Sequence, residues 1–449
     1  MRDSDASDFA MPIDNGAQME LRQATEAVVA HPFGLADVIA TFRKWLYIPD
    51  PGPVEVLLGA VAANLMEGDP IWLMLVGPPG SGKTEALQSI TGLAGVHPVG
   101  TLTEAALLSG TPTRERARDS QGGLLRAIGN SGLILCKDFT SILSMHTETR
   151  GSLLAALREI YDGAWTRHVG VDGGRTLHWS GRVAVIAGVT PIVDSHHAVM
   201  SAMGERFLFY RMPTCDRKRQ AGRAMRHTGQ EREMRRELAG AVKTLFDSIK
   251  LPAVTMPEGQ LQENIIALAI LVARGRSAVE RDGRTREVEL IPESEAPGRL
   301  AIGLARLYGG MQAVGVADGE AWRLTSKVGL DCLPAVRRVV LETLLAAIGP
   351  MSTKEIADAV RYPTNTTRRA LEDLCGHGLM EREPGGGNKG DSWYIAPETR
   401  ELYENATFEP FEPEKVCVPE KPLYISLTPG GGFSGTQTDP EDWDCLGVS

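Results

Sequence analysis

Apolar positions in this chain follow two rhythms. Between residue 71 and about residue 213 they come as short continuous runs, at 71–76, 133–136 and 183–189, separated by stretches with helical spacing. Runs that short and that uniformly apolar predict strands buried on both faces. Their alternation with helices predicts a parallel sheet with helices packed on it, an α/β fold. A helix is predicted over 150–161, and the extended runs 163–170 and 175–179 flank Asp172-Gly-Gly174, a β-hairpin signal. A last strand is expected within 203–212, beside Arg206.

Outside that block the rhythm is helical. Helices are predicted over 20–29, 32–47 and 54–66 at the start, with Trp45 and Trp72 as core anchors. The stretches 216–246, 261–276 and 297–314 are expected to form an all-helical lid, joined by loops at Asp282-Gly-Arg-Thr285 and Pro292-Glu-Ser-Glu295. Residues 335–348 predict a helix. Ser352-Thr-Lys-Glu355 is a capping box that opens a second helix to 360, and 366–377 is a third. Two strands, 379–383 and 391–395, enclose the glycine-rich stretch 384–390. Helix, helix, helix, hairpin is the order of a winged helix-turn-helix. From residue 398 Pro, Gly, Glu and Asp dominate, the composition of an acidic disordered tail. Such a tail could bind a basic partner, shield a DNA site or merely solvate the chain. The expected division is 1–53 as a polar segment with helices, 54–215 as the sheet-bearing core, 216–330 as helical lid, 331–397 as winged helix and 398–449 as tail.

Composition narrows the classes. With 43% hydrophobic and 23% charged residues in 449, the chain is an ordinary globular one, long enough for two or three domains. No apolar run approaches the ~20 residues of a membrane span. The polar start Met1-Arg-Asp-Ser is not expected to be a secretory signal. Six cysteines (Cys136, Cys215, Cys332, Cys375, Cys417, Cys445) lie apart with no C-x-x-C pair, which argues against zinc or a disulfide framework and suits a cytoplasmic location. A net charge of −10 counts against a general nucleic-acid coat, but leaves room for a local basic channel, since much of the acidity lies in the two tails.

The chemistry centres on Gly77-Pro-Pro-Gly-Ser-Gly-Lys-Thr84, which fits G-x-x-x-x-G-K-[ST] at every fixed position between an apolar run and a helical pattern. The residues Gly77, Pro78, Pro79, Gly80, Ser81, Gly82, Lys83, Thr84 and Glu85 would then surround the phosphates of ATP. Gly77, Gly80 and Gly82 let successive N–H groups turn inward as an anion nest at a helix N-terminus. Lys83 would reach the β- and γ-phosphates, and the Thr84 hydroxyl would hold Mg²⁺. The run 133–136 continues into Lys137-Asp138, an acid at a strand's carboxyl end roughly 50 residues on, as in a Walker B strand. Asp138 is the second expected Mg²⁺ group. A polar residue after 183–189, Thr190, could touch the γ-phosphate or the attacking water. Arg167, His168 and Arg175 put charge on the hairpin. Thr364, Asn365, Thr367, Arg368 and Arg369 would face DNA from the third C-terminal helix, with Lys389 in the wing on phosphate, though a protein-binding winged helix fits too. The charges of 216–246, among them Arg217-Lys-Arg219, Arg232 and Arg235-Arg236, read as a solvated helix face or a nucleic-acid surface.

This order of parts resembles an AAA+ ATPase, and within it the group with a β-hairpin before the sensor-1 strand, such as the minichromosome maintenance helicases. The resemblance covers roughly 72–314 and rests on the phosphate loop, 132–139, the hairpin around Asp172, 183–191 and Gly204-Glu-Arg-Phe207. It implies Thr190 as sensor 1 and Arg206 as an arginine finger reaching a neighbour's γ-phosphate. It further implies a hairpin tip near Asp172 gripping DNA, Arg299 as sensor 2, and a homo-oligomeric ring, most often a hexamer, working with DNA and a replication-protein partner and not with a membrane. The chain departs from the family where Phe139 replaces the usual catalytic glutamate; Glu148 or Glu159 could supply the base, or hydrolysis could be slow. The hairpin tip also lacks an obvious lysine. Trp45-Leu-Tyr-Ile-Pro-Asp-Pro51, Lys137-Asp-Phe-Thr-Ser-Ile142 and Arg158-Glu-Ile-Tyr-Asp-Gly163 are similar to ATP-binding proteins of actinobacterial phages and mobile elements. The implied function is a DNA helicase or translocase. The alternatives are a nucleotide-dependent DNA-binding switch or loader and, last, a polypeptide remodeller.

Overall fold

The computed structural model describes residues 33–110, 122–170, 174–197, 200, 206–253, 256–385 and 390–407. The helix predicted over 20–29 and the tail from 408 lie outside them. Helix α1 (Leu35–Trp45) is amphipathic and buries Leu35, Val38, Phe42 and Trp45. Helix α2 (Gly52–Leu65) is apolar on all sides and buried on all sides, as a helix inside a core must be.

Strand β1 (Trp72–Val76) runs through residues 77–82 into α3 (Lys83–Ser89). There follow β2 (Val96–Val99), β3 (Ser131–Cys136), α4 (Thr147–Tyr161), the antiparallel pair β4 (Ala164–Val169) and β5 (Arg175–Ser180), then β6 (Arg182–Val189) and β7 (Phe207–Arg211). Five strands form one sheet in the order β2-β3-β6-β1-β7, every described pairing parallel. The continuous apolar runs have a simple cause. Alternate residues serve opposite faces. Leu73, Leu75, Leu133, Leu135 and Ile186 join a core with α2 and α3, whereas Trp72, Met74, Ile134, Val185 and Ala187 join one with α4. The hairpin β4–β5 forms as expected, but Asp172 at its tip is outside the described residues.

The segment 216–246 is two helices, α5 (Arg217–Arg226) and α6 (Glu231–Ser248), divided near Gly229 at φ +86°. Next come α7 (Gly259–Arg276), a small hairpin β8 (Glu280–Arg281) and β9 (Val288–Leu290), α8 (Gly298–Ala313) and α9 (Asp318–Asp331). The expected loop at 282–285 is the turn of that hairpin, with Asp282 Oδ1 accepting from the N–H groups of Arg284 (2.8 Å) and Thr285 (2.5 Å). Helix α8 packs into the core. It crosses α2 so closely that a Cβ on Gly310 would lie 2.1 Å from the Gly59 carbonyl, and one on Gly59 would lie 2.4 Å from Met311.

The last block contains α10 (Ala335–Ala346), β10 (Met351–Ser352), α11 (Thr353–Val360), α12 (Thr364–Gly376), β11 (Met380–Glu383), β12 (Ser392–Ile395) and α13 (Pro397–Thr407). The capping box forms: Ser352 Oγ accepts from Glu355 N–H, and Glu355 Oε2 accepts from Ser352 N–H. The strands pair as β10-β12-β11. Two boundaries differ from expectation. Residues 397–407 are a packed helix with Tyr403 and Ala406 buried, so the ordered chain continues past 398. The block also shares one hydrophobic core with α2, α7 and α9, because Arg337 donates to the carbonyls of Gly275 and Ser277 and α13 lies along α7. Among the described residues no helix is long and apolar enough to cross a membrane.

Candidate functional site

The carboxyl ends of β1, β6 and β3 finish level. Val76 pairs with Val189 and Cys136 with Ala187, so Asp138 stands two positions on, beside Val189. Adjacent strands lie about 4.8 Å apart, which brings Gly77, Thr190 and Asp138 to one edge spanning roughly 10 Å. Ligands of open α/β sheets bind at that edge.

The loop 77–82 curls as its glycines allow. Gly80 (φ +78°) and Gly82 (φ +85°) are in the left-handed region, and a Cβ on either would meet only open space, so backbone conformation and not crowding requires glycine there. Lys83, 9% exposed, folds its amine back onto the loop, donating to the carbonyls of Gly77 (2.5 Å) and Pro78 (2.8 Å) and to Ser81 Oγ (3.2 Å). Burial lowers the Lys83 pKa, and the nearby Asp138 charge raises it, partly offsetting that effect. Thr84 is exposed at the helix start, and Asp138 is exposed with Oδ1 accepting from Thr140 N–H at 3.0 Å. These residues fit a phosphate chain with one divalent cation: an open nest of N–H groups, a buried amine, a hydroxyl and a single carboxylate. Mg²⁺ takes one or two carboxylates and completes its shell with water and phosphate oxygens.

Phe139 faces away from this edge. It is 0% exposed, its ring meets that of Phe207 edge-on at 5.5 Å, and its N–H donates to the Gly188 carbonyl. The next residue returns to the edge. Thr140 Oγ1 lies 3.3 Å from Thr190 Oγ1 and accepts from Thr190 N–H at 3.2 Å. Thr140 was not foreseen; no pattern in Phe-Thr-Ser separates it from an ordinary helix start.

Several expected residues are elsewhere. Tyr161 packs on Trp72, the first residue of β1, about 16 Å of strand from Gly77. Glu159, two residues earlier, is therefore at the far end of the sheet and is corrected out of the site. Glu148 is exposed in the first turn of α4, which the short segment 139–146 connects directly to Asp138. Arg299 also lies over Tyr161, 5.9 Å from the ring centre, so it too is at the far end. Arg206 has a side chain only 5% exposed, bound to both carboxylate oxygens of Asp162 (2.9 and 2.7 Å) and stacked on Tyr161. A finger must project beyond its own subunit, and Arg206 does not. Glu85 is held by Arg235 of α6 through two bonds of 3.0 and 2.8 Å, and it also lines the cavity beside the loop.

Beside the loop is a cavity of about 600 Å³. Ile48 and Pro49, Met212 and Pro213, and Gln220 and Arg223 form its walls away from the glycines. Gln220 Nε2 donates to the Gly80 carbonyl at 2.9 Å. Nothing local in the sequence links Gln220 to Gly80. Contacts 140 residues apart leave no local pattern.

The expected DNA-facing residues divide. Arg167 Nη1 is spent on the Leu108 carbonyl, and Arg175 is half-buried. Thr367 is 0% exposed and bonds back to the Pro363 carbonyl, so it is not a surface contact. Asn365, Arg368 and Arg369 are exposed and line a groove of about 830 Å³ between α12 and the β8–β9 hairpin. Lys389 lies outside the described residues. No family model matches the chain, and no curated protein matches it.

Proposed function

We propose that this chain is an ATP-binding P-loop protein of AAA+ type that acts on DNA as a nucleotide-dependent switch or loader with slow hydrolysis. The observation that carries the reading is the convergence of the glycine nest, the buried Lys83 amine, Asp138 and the Thr140–Thr190 pair on one edge of the sheet. Bound ATP with Mg²⁺ would supply the phosphoryl chemistry. The N–H groups of the loop and Lys83 would hold the phosphate charge. Thr84 and Asp138 would hold the cation's shell, and the Thr140 and Thr190 hydroxyls would orient water. The cavity walls at Ile48, Pro49, Met212 and Pro213 would take the base. Slow turnover follows from Phe139, a buried ring at the position after Asp138 where the resembled family carries its catalytic glutamate. Arg368 and Arg369 would meet DNA from a winged helix-turn-helix.

The second reading is the helicase or translocase in a homo-oligomeric ring, and the hairpin β4–β5 directly before β6 favours it. Steady-state ATP hydrolysis with and without single- and double-stranded DNA separates the two, with Lys83→Ala as the control. The switch predicts Lys83-dependent ATP binding and turnover below about 1 s⁻¹ on any DNA, under the usual enzyme range. Strong stimulation by DNA would select the motor instead. Absence of ATP binding would sink both.

A further inference from the structure

Helix α5 buries nothing. None of Arg217–Arg226 is in the buried class, and Met225 is 77% exposed. Its cations are Arg217, Lys218, Arg219, Arg223 and Arg226, with no acid among its residues, in a chain of net charge −10. Arg219 and Arg223 are an i,i+4 pair, and Arg223 and Arg226 an i,i+3 pair, spacings at which like charges on a helix repel. Within the helix no acid faces these cations, and at its cap Asp216 lies 3.5 Å from Arg219. Its contacts are mostly polar: Asp216 caps its start, Arg219 bonds Tyr47, Arg226 Nε donates to the Gly222 carbonyl at 3.2 Å, Arg223 donates to the Lys44 carbonyl at 3.3 Å, and Gln220 donates to the Gly80 carbonyl, while Ala224 faces the cavity. So the most basic exposed helix also touches the loop that would bind phosphate.

We propose that α5 is a docking helix for a nucleic-acid backbone and that Gln220 couples docking to the glycine loop. The inference rests on the DNA reading above and adds a contact surface on an element other than the one that carries Arg368 and Arg369. At 1.5 Å per residue α5 is about 15 Å long, the span of roughly four base steps. Arg217, Lys218, Arg219 and Arg226 are exposed along it, while Gln220 and Arg223 line the cavity. Phosphates neutralising α5 would relieve its self-repulsion, and any shift of the helix would move the donor on Gly80.

The test is the full chain carrying Lys218→Glu and Arg226→Glu, neither of which lines the cavity. Anisotropy of a labelled single strand and its duplex is measured between about 50 and 200 mM salt, beside binding of a fluorescent ATP analogue and a melting curve. We expect DNA binding at least tenfold weaker, a salt slope smaller by about 1–2, and ATP affinity and melting unchanged. In a second variant, Gln220→Ala, DNA affinity should persist while DNA no longer alters ATP affinity; persistence of that effect would refute the coupling. Unchanged DNA affinity and slope in the charge-reversed chain would overturn the docking helix and leave the DNA reading standing. Stronger DNA binding would also overturn it. Failure of the unaltered chain to bind DNA would defeat the DNA reading itself.

Discussion

Single positions decide the chemistry of the sheet edge. Asp138, Phe139 and Thr140 are consecutive, yet the middle one is in the core and its neighbours are at the site, because the chain turns at Phe139 into the short helix Thr140–Leu143 and that turn carries the Phe139 ring inward. Arg206 shows the reverse: a residue expected to project is held between Asp162 and Tyr161. A further buried charge sets a pH dependence. Glu55 is 6% exposed, and burial, reinforced by Glu320 and Asp50 and opposed by Arg323 and Arg43, raises its carboxyl from 4.5 to about 7. The folded state thus binds this proton more tightly than the unfolded chain does. Its stability contribution is fully present below pH 4.5 and is lost as pH rises through 7. Glu55→Gln should flatten that decline, and melting temperatures of the two proteins between pH 5 and 8 will show it: parallel curves would count against the assignment.

Elements couple to the site through a few polar contacts. Helices α5 and α6 are the part of the expected lid that reaches the loop, by Gln220 on Gly80 and Arg235 on Glu85; α8 is a core helix. Arg235 is 46% exposed, so its pair with Glu85 contributes only about 0.2–1 kcal/mol to stability. Its value is geometric, since a guanidinium engages both oxygens and an ammonium does not. Arg235→Lys should leave the melting temperature nearly unchanged and raise the dissociation rate of a fluorescent ATP analogue about two- to fivefold, within what 1 kcal/mol allows. Stopped-flow displacement measures it; an unchanged rate would mean that α6 does not hold the loop.

At the scale of the molecule, Asp373 is one of several polar ties between the C-terminal block and the rest, beside the Arg281–Glu372 pair (2.8 Å) and the Arg274–Glu398 pair (3.1 Å). Its oxygens accept from Arg281 (2.6 Å) and Arg337 (2.9 Å), while Arg337 also reaches the Gly275 and Ser277 carbonyls. Leaving a buried charge with no partner costs about 3–5 kcal/mol; here Glu372 still faces Arg281 at 2.8 Å, so that figure is an upper bound. Asp373→Asn should lower stability toward that range and expose 277–297 to limited proteolysis; a wild-type digestion pattern and melting temperature would show that the block is held by its apolar contacts alone. What the sequence by itself determined is the local content: buried strands, the glycine loop with Lys83 and Thr84, Asp138 at a strand end, and the Ser352 capping box. Each is written in residues close along the chain, where spacing and backbone preference act directly. Only the tertiary structure decided which end of the sheet Glu159, Arg206 and Arg299 occupy, that Thr367 is buried, that Thr140 meets Thr190, and that α5 touches Gly80. Those facts depend on strand order and helix crossing, which are set by the burial of whole faces across long sequence separations and leave no short-range signature.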